Sequence, residues 1–283
     1  MKSVFFYLLI LLISINSSTA QSTYKSKDKK KQYLLYISKK HCTDALSILK
    51  SDDKENYTRY VRGSKKEDLI ESFNTVVHET LHGYNFDIGG FDGQGYYVGS
   101  GIELLVPDTE IINSHKLNSF VNKEKRKKCD RYEIYIGNKT PFLSSQVDGI
   151  YGLLNEFSAY YHGLKAEIEI RNAGLKCPTF EWQSNSLEAY YEFKLFMSWY
   201  LQMCKKNHKQ VYQDIYANNK LRVAYSIFNK QFTLLADEIT SNENLKPYYT
   251  TEIAQLFTKT DYAELKKFEI SEVTINNYKE YFK

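Results

Sequence analysis

The sequence predicts an α+β protein that is predominantly helical, with a small early sheet and a helical C-terminal half. Three observations support this class. Apolar residues recur at helical intervals through most of the chain after Pro141. Extended, strand-like stretches occur only before that proline, and a glycine-rich connection, "DIGGFDGQG" (87–95), leads into the longest of them. The sequence shows no internal repeat and no low-complexity tract.

Residues 1–20 have the pattern of a cleaved signal peptide. Lys2 provides the basic start, Val4–Ile15 is an almost unbroken apolar run, and small residues precede Gln21. The run is too short to span a bilayer comfortably, although an uncleaved N-terminal anchor is the alternative. We therefore expect a secreted or periplasmic protein with no membrane span after signal cleavage.

The N-terminal segment 21–62 follows the signal, and its stretch "KSKDKKK" (25–31) predicts a solvated, charged tether. "QYLLYIS" (32–38) then predicts a strand. Beyond this segment, "SKKEDLIESFNTVVHETLHG" (64–83) predicts a helix whose apolar residues share one buried face.

The two ends of that first predicted helix carry capping signals. Ser64 and Glu67 have the spacing of a capping box at its start. Gly83 is a natural C-cap at its end.

Two further strands are predicted after the glycine-rich connection. "YYVGSGIELLV" (96–106) has the composition of extended structure, and "RYEIYIG" (131–137) predicts a second strand. Between them, "NKEKRKK" (122–128) predicts a basic surface loop.

The remainder of the chain is predicted to be helical. Ser145 is the expected N-cap of a helix over 144–170. Its apolar stripe consists of Ile150, Leu153, Leu154, Phe157, Tyr161 and Leu164. Two long amphipathic helices follow at 185–206 and 220–239, with a shorter helix between them and another near 249–267.

Charge and cysteines narrow the class of protein. The net charge of +4 is mild, which on an exported protein argues against nucleic acid as a partner. The four cysteines, Cys42, Cys129, Cys177 and Cys204, are too widely spaced for a zinc ribbon. In an oxidising compartment they permit two disulfides, and free buried thiols are the equal alternative.

The stretch "HETLH" (78–82) carries the residue types of a metal site. Histidines four positions apart on a helix project from one face, so both imidazoles can reach one metal ion. Glu79 projects to the side, where its carboxylate can lie beside a metal-coordinated water without binding the metal. Zinc lowers the pKa of such a water to about 7, and the carboxylate can take its proton during attack on a carbonyl. The alternative is a partly exposed helix edge that happens to carry two histidines.

These residues resemble the zincin superfamily of metallopeptidases, in which H-E-x-x-H supplies two zinc ligands and the general base. The resemblance covers this motif and one later segment, not the full length. It implies Zn²⁺ bound by His78 and His82, with Glu79 as the base. It also implies a zincin-like catalytic core over 63–175, followed by a helical C-terminal part over 176–283.

A catalytic zinc needs a third protein ligand and one open position. One zincin branch places that ligand shortly after the motif, but Ile88 occupies the position here and Asp87 is one residue out of register. The gluzincin branch takes a glutamate from a later helix, in the pattern Glu-x-x-Ala. Glu156 and Ala159 match that pattern. The resemblance therefore implies Glu156 as the third ligand, with Asp87 and His162 as rivals.

Tyr160 occupies the place where the gluzincin branch commonly has an aspartate that orients a ligand histidine. A tyrosine or histidine often stabilises the oxyanion in these enzymes. The resemblance therefore implies a catalytic role for Tyr160, with Tyr161 and His162 as alternatives.

The function expected from these residues is that of an exported zinc metallopeptidase acting on a peptide or protein substrate. A second hypothesis is a secreted, non-catalytic binding or scaffold protein on a zincin-like fold. Hydrolysis of a non-peptide amide is a third. Glu79 favours the enzyme over the scaffold, because a purely structural zinc site has no use for a base.

Overall fold

A computed structural model describes residues 23–52, 56–138, 143–175, 185–243 and 252–270. The predicted signal peptide lies outside these ranges, as does Cys177. In the described ranges helices dominate and the sheet has two strands. The α+β, mostly helical class is therefore confirmed.

In chain order the α-helices are α1 (Lys27–His41), α2 (Thr43–Ser51), α3 (Lys66–Glu71), α4 (Phe73–Gly89), α5 (Leu117–Phe120), α6 (Lys123–Arg126), α7 (Ser144–Val147), α8 (Gly149–Asn172), α9 (Asn185–Asn207), α10 (Lys209–Ala217), α11 (Asn219–Ser241) and α12 (Lys259–Phe268). Single 3₁₀ turns form at Asn56–Tyr60, Ser114–Lys116 and Ile253–Leu256. Strands β1 (Gln94–Gly99) and β2 (Ile102–Val106) form an antiparallel hairpin. The long helices predicted in the C-terminal half are thus present, and the basic loop at 122–128 contains the one-turn helix α6.

Helix α1 replaces both the tether predicted at 25–31 and the strand predicted at 32–38, so these two predictions are wrong. The Ser26 side chain accepts a hydrogen bond from the backbone N–H of Lys29 and caps the helix. Leu34 and Ile37, three positions apart, are buried against the rest of the protein. A short apolar run does not distinguish a strand from a helix, and here tertiary packing selects the helix.

The strand predicted at 131–137 is also wrong, because Glu133–Gly137 forms one π-helical turn. Two side chains of α7 satisfy backbone carbonyls in this turn. Ser145 Oγ donates to the carbonyl of Tyr135 at 2.9 Å, and Gln146 Nε2 donates to that of Ile136 at 3.3 Å. Ser145 is therefore an anchor for the turn and not the predicted N-cap of the following helix, which is interrupted between α7 and α8.

The first predicted helix differs from expectation at both ends. At its start, the Asp68 carboxylate accepts hydrogen bonds from the backbone N–H groups of Ser64 and Lys65, each at 2.7 Å. Asp68 thus takes the part predicted for Glu67. At its end, α4 continues through Gly83 to Gly89 and stops at Gly90, whose φ is +55°. Gly83 is therefore not a C-cap.

The stretch 96–106 is extended as predicted, but it turns back on itself as the β1–β2 hairpin. Ser100 lies in the turn with φ +54°. The Asp44 carboxylate of α2 accepts hydrogen bonds from the Ser100 N–H at 2.7 Å and the Tyr97 hydroxyl at 3.1 Å. Lys165 of α8 forms an ion pair with the same carboxylate at 2.9 Å. The N-terminal helices, the hairpin and α8 are thereby joined.

Helix α8 lies at the centre of the protein and is buried along nearly its whole length. Its Phe157 and Leu164 belong to a hydrophobic cluster with the hairpin, α9 and α11. Its Ala159 and Ala166 belong to a second cluster with α1, α2 and α4. A helix covered on both sides needs apolar residues around its circumference, so any polar side chain on α8 that is also buried requires a partner.

Helices α4 and α8 pack directly against each other. A Cβ on Gly163 of α8 would lie 2.5 Å from the side-chain oxygen of Asn74 on α4, so glycine permits this approach. Asn74 Nδ2 in turn donates to Glu167 Oε2 at 2.7 Å. This contact fixes the register of the two helices that carry the predicted metal ligands.

We expect Gly95→Ala to destabilise the protein by about 1–3 kcal/mol, because the added methyl overpacks the contact between β1 and α4. Its Cβ would lie 2.2 Å from the Asn85 carbonyl oxygen and 2.5 Å from the Gly89 nitrogen, both backbone atoms of α4. The measurement is the free energy of unfolding in urea. Gly83→Ala is the matched control, since nothing lies within 4 Å of its Cβ in the middle of α4. It should stabilise the protein by about 0.4–1 kcal/mol. Equal effects of both variants would contradict the close packing of β1.

Cys42, Cys129 and Cys204 are buried and free. Two disulfides would need all four cysteines, so that alternative is wrong, and these three residues are the free buried thiols that the sequence also allowed. Burial raises the pKa of Cys129 and of Cys204 to about 12, which keeps both thiols protonated and unreactive.

Among the described helices, none combines the length and apolar composition needed to cross a bilayer.

Candidate functional site

His78 and His82 lie one turn apart on α4, as the sequence predicted. His78 is buried, with 7 % of its surface exposed, and His82 is half-buried. The two Nε2 atoms lie 3.2 Å apart, with the rings in an edge-to-face arrangement. Both imidazoles therefore present a nitrogen to the same point in space.

Glu156 of α8 reaches the same point. Its Oε2 atom lies 3.6 Å from Nε2 of His78 and 3.5 Å from Nε2 of His82. This oxygen is buried, and within the described residues it has no hydrogen-bond partner. His78, His82 and Glu156 therefore form a buried group that can bind a metal ion.

The two rings are oriented by neighbours on α8. Asn155 Oδ1 lies 2.8 Å from His82 Nδ1, and the backbone carbonyl of Ala159 is hydrogen-bonded to His78. Since a carbonyl oxygen can only accept, His82 Nδ1 carries a proton, and once Nε2 loses its own proton that nitrogen presents its lone pair toward His78 and Glu156. This is the arrangement that a metal-binding histidine requires.

Asn155 is itself held in place by Asn85 of α4. Asn85 Nδ2 donates to Asn155 Oδ1 at 3.3 Å and to Ser158 Oγ at 3.4 Å. Asn85 Oδ1 accepts from the backbone N–H of Tyr97 in β1 at 2.8 Å. The role of Asn155 was not predicted from the sequence. The one signal for it was that a second polar residue stands directly before Glu156 in an otherwise apolar helix.

We expect Asn155→Ala to weaken metal binding about 10–100-fold, because His82 loses the acceptor that fixes its tautomer. Asn155→Asp keeps the acceptor oxygen and should restore affinity. Isothermal titration with zinc measures both. Equal losses in the two variants would contradict the orienting role, because aspartate keeps both the shape of the side chain and the acceptor oxygen.

The charges of the group follow from its burial. Burial, together with the nearby positive charges of His82 and Arg131, holds the pKa of His78 well below its usual range. Burial also lowers the pKa of His82, but the adjacent Glu156 carboxylate outweighs this and raises it to about 9. His82 is therefore the imidazole of the pair that holds an extra proton beside the Glu156 carboxylate, and His78 is the neutral one.

Glu79 lies beside the group and does not belong to it. It lines a cleft of about 420 Å³, here called the Glu79 cleft, together with His82, Arg59, Tyr60 and Asp52. Burial raises the pKa of the Glu79 carboxyl, the charge of Glu156 adds to this, and His82 and Arg59 oppose it. A carboxylate with a raised pKa beside a group that can bind a metal ion is suited to accept and return a proton.

The two rivals for the third ligand lie elsewhere. Asp87 lines the Glu79 cleft but is not part of the metal-binding group found in the described residues. His162 is buried and its Nε2 donates to the backbone carbonyl of Tyr97 at 3.0 Å. Burial lowers the pKa of His162 to about 4, so it is a neutral core histidine. Tyr161 likewise packs against Phe228 and Phe232, away from the group.

Tyr160, in contrast, lies at the site. Its ring packs edge-on against His78, with ring centres 4.5 Å apart. Its hydroxyl lies 2.8 Å from that of Tyr135, in the π-helical turn, and the Arg131 guanidinium lies over its ring at 4.8 Å. Burial raises the pKa of Tyr160, and Arg131 opposes this. Tyr135 was not predicted as a site residue, because its segment resembles a strand in sequence and forms a π-helical turn in the structure.

Arg131 is held by a buried ion pair, with Nη1 2.6 Å from Glu192 Oε2 of α9. Its backbone N–H also donates to Glu192 Oε1 at 3.1 Å. The hydrogen-bonded pair Tyr135 and Tyr160 therefore contacts α9 through Arg131, in addition to the position of Tyr160 on α8.

A second cleft, of about 440 Å³ and here called the Asp148 cleft, begins at the other side of the group. It lies between the last turns of α4 and the first turns of α8, and His82 and Glu156 line it. His82 therefore borders both clefts, and Glu156 borders the second.

Comparison of the chain with protein-family models, curated proteins and solved structures finds no match.

Proposed function

We propose that this protein is a zinc-dependent peptidase of the gluzincin type, with His78, His82 and Glu156 as zinc ligands. The spacing of the three donor atoms carries the proposal. Tetrahedral zinc with ligands at about 2.0–2.1 Å requires donor atoms roughly 3.3–3.4 Å apart. The three observed separations are 3.2, 3.5 and 3.6 Å.

The donor set supports zinc among the common metals. Two imidazoles and one carboxylate suit zinc, whereas magnesium and calcium prefer oxygen ligands throughout. The buried Oε2 of Glu156 has no hydrogen-bond partner within the described residues and faces the His82 imidazole at 3.5 Å. A bound cation would compensate this carboxylate when both imidazoles are neutral and act as ligands. Three protein ligands leave the fourth position open, as in catalytic zinc sites.

His78, His82 and Glu156 would hold the zinc, which when bound would supply acidification of a water and polarisation of a carbonyl oxygen. The chain's own residues then have separate roles. Glu79 holds the proton of the attacking water and returns it to the leaving amine. Tyr160 and Tyr135, both only partly buried, are hydrogen-bonded to each other through their hydroxyls. The phenol whose proton is not used within this pair donates a hydrogen bond to the substrate oxygen as it becomes negative. Asn155 keeps His82 in the binding tautomer.

Peptide is the favoured substrate because His82 borders two clefts, of about 420 and 440 Å³, and an extended chain that places its scissile bond at the site would use both. The exported location follows from the pattern of residues 1–20 and is part of the same proposal.

The test is removal of the metal from the purified protein. Elemental analysis should find about one zinc per chain, chelation should abolish hydrolysis of a casein-derived peptide mixture, and one equivalent of zinc should restore it. Zinc binding without any hydrolysis would instead support the scaffold hypothesis. Iron in place of zinc, or hydrolysis that survives chelation, would contradict the proposal.

A further inference from the structure

The Asp148 cleft has a chemical character that the proposed reaction does not explain. Its walls include aromatic side chains that are strongly exposed, Phe86 at 74 % and Phe91 at 108 %. Leu143, at 39 % exposed, lies on the same cleft. Apolar surface of this kind, next to a functional group, is typical of a binding surface and not of a solvated helix edge.

Two carboxylates, Asp108 and Asp148, line the same cleft. Burial raises the pKa of Asp108, and the negative charge of Asp148 adds to this, which shows that the two carboxylates lie within electrostatic reach of each other. Asp148 accepts a hydrogen bond from Ser144 Oγ at 2.6 Å. The described residues that line the cleft include no lysine and no arginine. Gln94 also donates a hydrogen bond to Asp108. The cleft therefore combines aromatic surface with two hydrogen-bonded carboxylates that no lysine or arginine of its described lining neutralises, and His82 and Glu156 lie in the same lining.

The position of Glu79 assigns the two sides of a substrate's scissile bond to the two clefts. In the proposed reaction Glu79 returns the proton to the leaving amine, and Glu79 lines the other cleft. The amine side of the scissile bond then lies in the Glu79 cleft, and the carbonyl side extends into the Asp148 cleft.

We propose that the Asp148 cleft binds a positively charged group on the carbonyl side of the substrate's scissile bond. The aliphatic part of that group packs on Phe86 and Phe91, and its cation lies near Asp108 and Asp148. This inference rests on the proposed function and names its substrate class. The cation has two possible sources, a lysine or arginine side chain and the free N-terminus of a short peptide.

The experiment measures peptide binding separately from hydrolysis. Acetylated alanine-based pentapeptides carry one lysine or one norleucine at successive positions, and matched norleucine peptides with a free N-terminus form the second arm. Binding to zinc-loaded Glu79→Gln protein is followed by fluorescence anisotropy, and cleavage by the wild type is followed by mass spectrometry.

We expect at least one cationic peptide to bind roughly tenfold more tightly than its neutral counterpart, as for hydrogen bonds to charged groups. In Asp108→Asn/Asp148→Asn protein this preference should fall to within about twofold. Asp148 precedes α8, so the single variant Asp108→Asn, on an exposed loop, is included in case the double variant folds poorly. Asp92→Asn, on the neighbouring glycine-rich loop and outside the cleft, is the matched control and should retain the full preference.

Preference in the acetylated lysine peptides identifies the side chain as the cation, and preference only in the unblocked peptides identifies the N-terminus. Equal binding of charged and neutral peptides, or a preference that persists in both Asp108 variants, would overturn the inference. If the wild type hydrolyses peptides but charged and neutral peptides bind equally, the proposed function stands and only the cleft assignment is wrong. Cationic preference without hydrolysis supports the cleft assignment while the proposed peptidase activity fails.

Discussion

Replacing Glu79 by Gln is expected to lower the kcat of peptide hydrolysis by about 10²–10⁴-fold while leaving one zinc bound per chain. The amide is isosteric with the carboxylate but cannot take a proton from the attacking water. Glu79 is also not one of the three residues whose donor atoms converge, so its replacement leaves the metal ligands in place. The measurements are initial rates on a peptide substrate and the zinc content of the same preparation.

Asp87→Asn is the control for this variant, because Asp87 is the other acidic residue of α4 and is not part of the metal-binding group. It should leave zinc content nearly unchanged. Hydrolysis by Glu79→Gln at the wild-type rate would show that the enzyme proposal is wrong, even if zinc binds as expected.

Glu156→Gln is expected to remove most of the effect of zinc on stability. In the wild type, zinc at 100 times its dissociation constant should raise the free energy of unfolding by about 2.7 kcal/mol. The variant keeps two histidine ligands but loses the charged oxygen that lies 3.5 Å from His82 and 3.6 Å from His78. The zinc-dependent increase should therefore nearly vanish, and hydrolysis with it. His78→Ala and His82→Ala should behave in the same way.

Urea unfolding with and without zinc measures this effect, and it does not depend on activity. Glu169→Gln is a suitable control, since Glu169 also lies on α8 but pairs with Lys165 on the surface. A zinc effect that survives in Glu156→Gln and disappears in Asp87→Asn would transfer the third-ligand role to Asp87, and the gluzincin assignment would be wrong.

Two segments that resemble strands in sequence are not strands in the structure. The apolar run at 32–38 and the run at 131–137 both resemble strands, yet one is part of α1 and the other forms a π-helical turn. Short apolar runs carry too few residues to establish a period, so the neighbours against which they pack decide their conformation. The long helices of the C-terminal half repeat their pattern over several turns, and these were predicted correctly.

The sequence by itself determined the pairing of His78 with His82. Helix geometry places residues i and i+4 on one face, so the two Nε2 atoms come together wherever this segment is helical. The sequence also placed Glu79 beside them, because the residue that follows His78 in a helix projects to the side, about 100° around the axis. The recurrence of apolar residues at helical intervals was enough to predict the helix, although both predicted caps were wrong.

Only the tertiary structure decided which distant residues complete the site. Asn155 and His82 are 73 positions apart in the chain, and their contact, like that of Glu156, depends on how α4 and α8 pack. That register depends on Gly163 and on the Asn74–Glu167 hydrogen bond. Local spacing in a helix is set by backbone geometry over one turn, whereas contacts between helices depend on burial and packing summed over the whole fold.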